Sequence, residues 1–538
     1  MSTRVRPELL QRLLVALLPA LLSAPRFWNG FVFDDVYMIL RGGFIHDLRN
    51  LPRAFSAHAM AASSLEALFA EAPLDTYRPL SIATFFWDSL LSGHQPWSYH
   101  LTNTLLHASC CVLVLELLRR LCPRASASLL VSVALCFGLA PVLSEAHVFI
   151  NGRSDVLLGL FCCAAVLSQR SALQPVQSAR ACASGLLALC ALLSKESAVL
   201  MLPFIVLAPT ASPAPWTRRA KLALPHLAAF LIYLSLRGHA LHGMKTHASS
   251  QHILLALANV PLLWLDAFVH YLLPLPYTLR NLRDDYAPVG ELMRAAAWLF
   301  LAATLVLIIA LGLRRRAPSL AWGLGVALCT LAPAAMITTE LWQGFGRFLY
   351  LPAVGLAVVV CDVLSRSAAL PERSHALIQR FVFFLAAWSG AMLLESTLGF
   401  SDDLTLYRRA LAESPEQGWT HGSVGLALKR SGDCAAAVPM LERAAAMAPR
   451  EPRYLDNLAR CFLALGDREG ALRAAQRGQS RFHDTSAEAS FLLDEYLTQP
   501  ADSARAAALL QRCVAIQPSH KACLAALANS RAAGSPQP

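Results

Sequence analysis

Charge is scarce in this chain. Asp, Glu, Lys and Arg make up only 15% of its 538 residues, against about 25% in a soluble domain. That shortage excludes a soluble protein for most of the length, up to about Ser401. Recognisable metal patterns are lacking too. No CxxC and no Cys/His metal spacing stands out among the 14 cysteines, which argues against a zinc-finger framework. Many of the cysteines, such as Cys110, Cys111, Cys162 and Cys163, lie inside apolar runs and act there as small hydrophobes. No convincing cleavage site precedes Asp34, so the basic, Leu-rich N-terminus reads as a retained helix and not a signal peptide. The net charge of +11 is no sign of nucleic-acid binding, because the arginines cluster in short connections between apolar segments.

What is abundant is apolar sequence, at 56% of residues. Runs long enough, or nearly long enough, to span a bilayer occupy roughly 10–29, 98–118, 126–144, 155–170, 181–195, 197–210, 222–237, 291–313, 319–338, 347–366 and 376–398. That makes about 11 spans. Arg4/Arg6/Arg12, Arg119/Arg120/Arg124, Arg170/Arg180, Arg218/Arg219/Lys221, Arg314/Arg315/Arg316 and Arg373/Arg380 fall in alternate connections, which are therefore cytoplasmic. The opposite face receives a first outer loop at 34–96, the 147–155 turn, a hairpin tip at Lys195-Glu196, the 238–290 segment, the 339–346 turn and the C-terminal tail. The run 253–273 is apolar, yet a single crossing there would put 314–316 outside. It is expected to be re-entrant or interfacial. The long outer loop, with its amphipathic-looking stretch 54–70, is expected to be functional.

Two adjacent carboxylates, Asp34 and Asp35, sit in Phe31-Val32-Phe33-Asp34-Asp35-Val36-Tyr37, where the first helix leaves the membrane. Ionisable groups at membrane depth are expensive and point to function. Neighbouring carboxylates raise each other's cost of ionising, which can poise one as a base. The same face collects Arg78, His100, His107, Glu145, His147, Arg153, Asp155, Lys195, Glu196, Glu340 and Arg347. One Arg or Lys at such a place reads best as snorkelling to water. Several converging on a carboxylate pair read instead as a site for an anionic head group, since Arg offers phosphate a fork and Lys a point charge. His100 and His107, seven apart, share a helix face, where polar packing is favoured over a metal.

The tail changes character near Asp402. Pro415 and Pro449 stand 34 residues apart, the period of a tetratricopeptide (TPR) repeat. Val424-Gly425, Ala437, Ala444 and Pro449 fall at the repeat's Leu-Gly, Ala, Ala and Pro positions; Tyr407, Ala410 and Pro415 match one period earlier, and Leu458-Ala459, Phe462 and Ala471 one period later. About three repeats and a capping helix would stack as a short solenoid. The expected divisions are a membrane domain at 1–400, TPR repeats at 401–533 and a disordered end at 534–538.

The ordered set Phe33-Asp34-Asp35, Tyr77-Arg78-Pro79-Leu80, His100-Leu101-Thr102-Asn103-Thr104-Leu105-Leu106-His107, Glu145-Ala146-His147, Asn151-Gly152-Arg153-Ser154-Asp155, Leu193-Ser194-Lys195-Glu196 and Arg347-Phe348-Leu349-Tyr350-Leu351-Pro352 resembles the transmembrane and TPR repeat-containing O-mannosyltransferases of the GT-C superfamily. The chain departs from them at Leu139-Ala140-Pro141-Val142, where members often carry His-Pro, and in its short TPR array. The resemblance implies an all-α polytopic GT-C-type bundle with a C-terminal TPR α-solenoid. It implies a glycosyltransferase that moves mannose or another hexose from a polyprenyl-phosphate donor to a hydroxyl of a protein acceptor on the outer or lumenal face. Asp34 or Asp35 would be the catalytic base, the resemblance favouring Asp34. Arg347, Lys195, Arg153 and Arg78 would hold the donor phosphate. Glu196, His147, Glu145, His107, His100 and Asp155 would face acceptor or sugar. A divalent metal is not demanded, since the cations neutralise the phosphate. The Ala/Leu/Arg-rich composition suggests a bacterial inner membrane (an ER membrane for a eukaryotic chain), with the TPR tail on the periplasmic or lumenal side. Two other functions are open to the sequence: a non-enzymatic membrane-anchored TPR assembly factor, and a lipid-linked polysaccharide ligase or flippase.

Overall fold

The computed structural model describes residues 2–57, 76–173, 177–210, 214–241, 250–277, 289–314, 317–334, 346–366, 371–483, 485–500, 503–518 and 520–533. Every regular element among them is helical. The chain divides into two compact units, Met1–Asp402 and Asp403–Pro538.

In the first unit, six helices are long and apolar enough to cross a membrane: Trp97–Leu121, Ile150–Leu173, Trp216–Ala240, Glu291–Leu311, Gly346–Ser365 and Glu372–Gly399. A bent pair, Ala127–Gly138 with Pro141–His147, makes a seventh if it is one span. Its 47° bend falls at Pro141, whose missing N–H and fixed ring end the first helix. The sequence led us to expect about 11 spans. The difference lies in the first run, 10–29, and in three shorter apolar helices, Ser178–Ser194, Glu196–Val206 and Pro318–Ala334. Each of these three helices falls short of the roughly 20 residues of a straight crossing. The first expected run, 10–29, stays α-helical only to Leu22 and then tightens into a 3-10 turn at Ala24–Trp28.

The first outer loop is not structureless. It contains 3-10 turns at Phe44–His46, Leu48–Asn50 and Pro52–Phe55 and an α-helix at Pro79–Ser92. Pro79 suits the first helical position, where no N–H is needed. Met38, Ile39, Ile45, Ile82, Phe85, Phe86 and Tyr99 bury one another beneath this segment. Most of the stretch 54–70 lies outside the described residues, as do Asp75, Glu340, Arg315, Arg316 and 534–538.

The second unit is a stack of helical hairpins. Helices starting at Gly418, Pro452 and Ser486 are followed by partners at Cys434–Met447, Arg468–Arg481 and Ala504–Ile516. Those starts keep the 34-residue TPR period. Local chemistry explains the hairpins. Gly432 and Gly466 take left-handed backbone, φ 88° and 78°, which only glycine adopts freely. The Asp that follows each one caps the next helix: Asp433 accepts the Ala436 N–H and Asp467 the Gly470 N–H. Asp403–Glu413 precedes the array, and Lys521–Ala533 follows it. A Cys513–Cys523 disulfide joins the last two helices, a link not anticipated from the sequence.

Candidate active site

The Phe31–Tyr37 stretch presents its two carboxylates differently. Asp35 is buried and faces inward. Its Oδ1 accepts the Asn151 N–H at 2.8 Å and its Oδ2 the Val32 N–H at 3.4 Å. It therefore pins the loop to the 150–152 turn. The Asp34 side chain is 33% exposed, and its Oδ2 lies 3.8 Å from Nη1 of Arg347.

Arg347 sits in the 3-10 turn Gly346–Leu349, at the head of the Tyr350–Ser365 helix. Its Nε lies 3.5 Å from Oε1 of Glu145, a carboxylate with no exposure. Both ion-pair distances are long for hydrogen bonds. Among the described residues, Nε of Arg347 has no hydrogen-bond partner. Glu145 is itself fixed. Tyr277 Oη donates to its Oε2 at 2.6 Å and the Gly346 N–H donates to the same oxygen at 2.8 Å. Gly346 has no room for a side chain, because a Cβ would collide with the Val142 carbonyl oxygen and meet the Tyr277 ring at 2.9 Å. The glycine thus lets the backbone close onto Glu145, and Glu145 in turn holds the guanidinium.

Lys195 follows the Ser178–Ser194 helix in extended conformation. Its Nζ is buried, 2.5 Å from Oδ1 of Asp155 and 4.2 Å from the centre of the Phe348 ring. Arg347 faces the same ring at 5.4 Å. Lys195 also lies within electrostatic reach of both Arg78 and Arg347. Arg78 forks onto Glu196 at 3.0 and 2.5 Å, both side chains being partly exposed. The structure therefore gathers Asp34, Arg347, Glu145, Lys195, Asp155, Arg78 and Glu196 into one polar cluster.

Other expected members lie elsewhere. Arg153 has no exposure: it pairs with Asp88 at 2.5 Å and also donates to Asn103, Thr84 and the Tyr99 carbonyl. This interior bond ties the Pro79–Ser92 helix to the bundle. Breaking such a pair costs about 3–5 kcal/mol, so Arg153 is explained by architecture. His100, His107 and His147 are all buried. His107 bonds Tyr350 Oη at 2.7 Å and the Gly138 carbonyl at 3.0 Å, and its ring stacks on His147 at 3.8 Å. These histidines pack between helices and line no exposed surface.

Three contributors were missed in the sequence. Arg26 is wholly buried; its guanidinium donates to the Ser23 carbonyl at 2.9 Å and the His147 carbonyl at 2.8 Å. Its presence inside an apolar run was the signal that could have found it. The same holds for Asp88. Tyr277 carries no comparable mark, since its partner Glu145 is remote in sequence.

No protein-family model matches the chain. Comparison with curated proteins finds protein O-mannosyl-transferases among its relatives. Protein O-mannosyl-transferase TMTC3 of Mus musculus is 35% identical over 156 residues, 28% of this chain and 16% of that protein. Protein O-mannosyl-transferase Tmtc1 of Drosophila melanogaster is 32% identical over 190 residues, 34% of this chain and 21% of the relative. Protein O-mannosyl-transferase tmtc2 of Xenopus laevis is 38% identical over 86 residues, 16% of this chain and 10% of the relative. The chain spans between 10% and 21% of the length of these three relatives. The chain is thus similar over part of its length to protein O-mannosyl-transferases, the family that its motif order resembles, and it carries helices long and apolar enough to cross a membrane and a tail with the TPR period.

Proposed function

We propose that the chain is a membrane glycosyltransferase that moves mannose or another hexose from a polyprenyl-phosphate donor to a hydroxyl of a protein acceptor. The observation that supports this most directly is Arg347, a nearly buried guanidinium with an unspent Nε donor, beside a carboxylate that is one-third exposed. A phosphate would offer that guanidinium the short, forked bonds it lacks among the described residues. Lys195 adds a second cation across the Phe348 ring. Arg78 is largely occupied by Glu196, so its part is smaller, and Arg153 drops out of the phosphate set. The charge that develops on the leaving phosphate is met by Arg347 and Lys195.

The reaction is a single displacement. The acceptor oxygen attacks the anomeric carbon, the bond from that carbon to phosphate oxygen breaks, and the phosphate leaves with the electron pair. Asp34 takes the hydroxyl proton. Donor binding draws Arg347 toward the phosphate and weakens its hold on Asp34, which raises the basicity of that carboxylate when it is needed. Inversion at the sugar follows. Glu145 and Tyr277 act as positioning residues for Arg347. The TPR unit would receive the protein acceptor, on the periplasmic or lumenal side that the loop arginines suggest.

The test uses full-length protein in lipid nanodiscs, a polyprenyl-phosphate mannose and a Ser/Thr-containing peptide. Mass spectrometry should find one added hexose, and NMR the inverted anomeric bond. No hexose on any hydroxyl peptide, together with unchanged outer-side glycoproteins in cells lacking the gene, would favour the anchored assembly factor instead.

A further inference from the structure

Cys513, His520 and Cys523 come together at the last hairpin of the TPR unit. One ligand atom from each lies within 4.8 Å of the other two. The sequence spacing did not announce this group. Cys513 ends the Ala504–Ile516 helix region and Cys523 opens the Lys521–Ala533 helix. Both sulfurs are buried against Leu492, Leu493, Leu509 and Leu510 and beside the Ala489 carbonyl. His520 Nδ1 accepts the Cys523 backbone N–H at 3.2 Å, which caps the helix and fixes the ring next to the sulfur pair. In the structure the two cysteines form a disulfide.

We propose that this cluster is a redox-gated site for one zinc ion. Two thiolates and an imidazole are the three protein ligands typical of a zinc site that keeps its fourth position open. About a tetrahedral ion with Zn–S near 2.3 Å, the sulfurs stand roughly 3.8 Å apart. Once the disulfide is reduced the sulfurs can part by side-chain rotation, since the two Cα atoms stand 6.3 Å apart. In the oxidised state the sulfurs are spent on each other and the ion has only His520.

The gate works by thiol–disulfide exchange with a small-molecule or protein disulfide. One cysteine thiolate attacks the reagent and expels its first thiolate. The second cysteine sulfur attacks the mixed disulfide and expels the other. Two electrons pass from the cysteine pair to the reagent, and the two thiol protons end on the released thiols. Reduction by a dithiol reverses this. Zinc then displaces the two thiol protons on binding, and the His520 ring gives up the bond from the Cys523 N–H, because a neutral imidazole has one lone pair to offer. Both states bind the final helix to its neighbour, covalently in one case and through the ion in the other. The reduced, metal-free state does neither, and it leaves the end of the solenoid least secured.

The experiment uses the full chain in detergent with zinc as the only added ion. In protein isolated without reductant, Cys513 and Cys523 should resist alkylation and yield a cross-linked peptide. After reduction, a chromophoric chelator should report one zinc bound beyond the amount held by a Cys513→Ser/Cys523→Ser double variant. The metal should then protect both thiols without a cross-link. His520→Asn keeps a good helix cap and loses the imidazole, so affinity should fall about ten-fold or more, the least expected when even an outer-shell partner costs that much. Reduced parent protein that holds no more zinc than the double variant overturns the site. Unchanged affinity in a His520→Asn chain of parental helicity overturns the ligand set. Free alkylation in the unreduced protein overturns the gate.

Discussion

Asp34→Asn should cut sugar transfer by roughly 10²-fold or more, the usual range for a lost general base, and leave the protein folded. The substituted side chain is nearly isosteric, and the site is one-third exposed, with Arg347 at 3.8 Å. Asp35→Asn should behave in the opposite sense. Both its oxygens accept backbone N–H groups in a buried setting, and an amide can satisfy only one of them. The expected loss is about 1–3 kcal/mol of stability, visible as a lower melting temperature, with residual transfer in whatever fraction remains folded. Initial rates and thermal melts on the two variants separate the roles. A fully active Asp34→Asn protein would end the catalytic reading of this turn. An inactive but normally stable Asp35→Asn protein would exchange the two assignments.

Arg347→Ala should raise the donor concentration needed for half-maximal rate and lower turnover as well. Hydrogen bonds to a charged group are worth about 1.5–3 kcal/mol, or roughly 10- to 150-fold in transfer efficiency. Arg347→Lys should recover part of this, because it restores charge without the fork. Lys195→Ala differs in kind. It leaves Asp155 buried without its ammonium, so a stability loss accompanies the kinetic one. Steady-state rates against donor concentration, read beside melting curves, distinguish them. Parental kinetics in Arg347→Ala would remove the phosphate role from the residue on which the proposed function leans most.

Much of this was legible in the chain. Long apolar runs mark helices because a bilayer demands about 20 residues of one character, and the recurrence of Pro and small residues at 34 marks the TPR hairpins. Hydropathy is a one-dimensional average, however. It merged Ala127–Gly138 and Pro141–His147 into one run where the structure bends by 47°. The polar residues were visible as exceptions, yet their partners were not. Nothing local links Asp88 to Arg153, or Tyr277 to Glu145. Opposite charges on one membrane face looked alike in sequence, and only burial separates Arg153, locked inside, from Arg347 at the edge. The Cys513–His520–Cys523 group was overlooked because its spacing follows a hairpin of this fold and no common metal motif.

One last consequence attaches to Phe33. It is the sole described residue other than glycine with positive φ, at 51°. A side chain in that region costs roughly 1–2 kcal/mol. Its ring is held against Phe149 at 5.9 Å, and the kinked backbone sets the direction in which the next residue, Asp34, leaves the chain. Glycine at this position would remove the conformational penalty together with the aromatic anchor. The ring contact offsets that cost, so a Phe33→Gly chain would gain no heat resistance from the relief of strain, having lost the contact and made the unfolded chain freer, and its next carboxylate would leave the chain less well aimed.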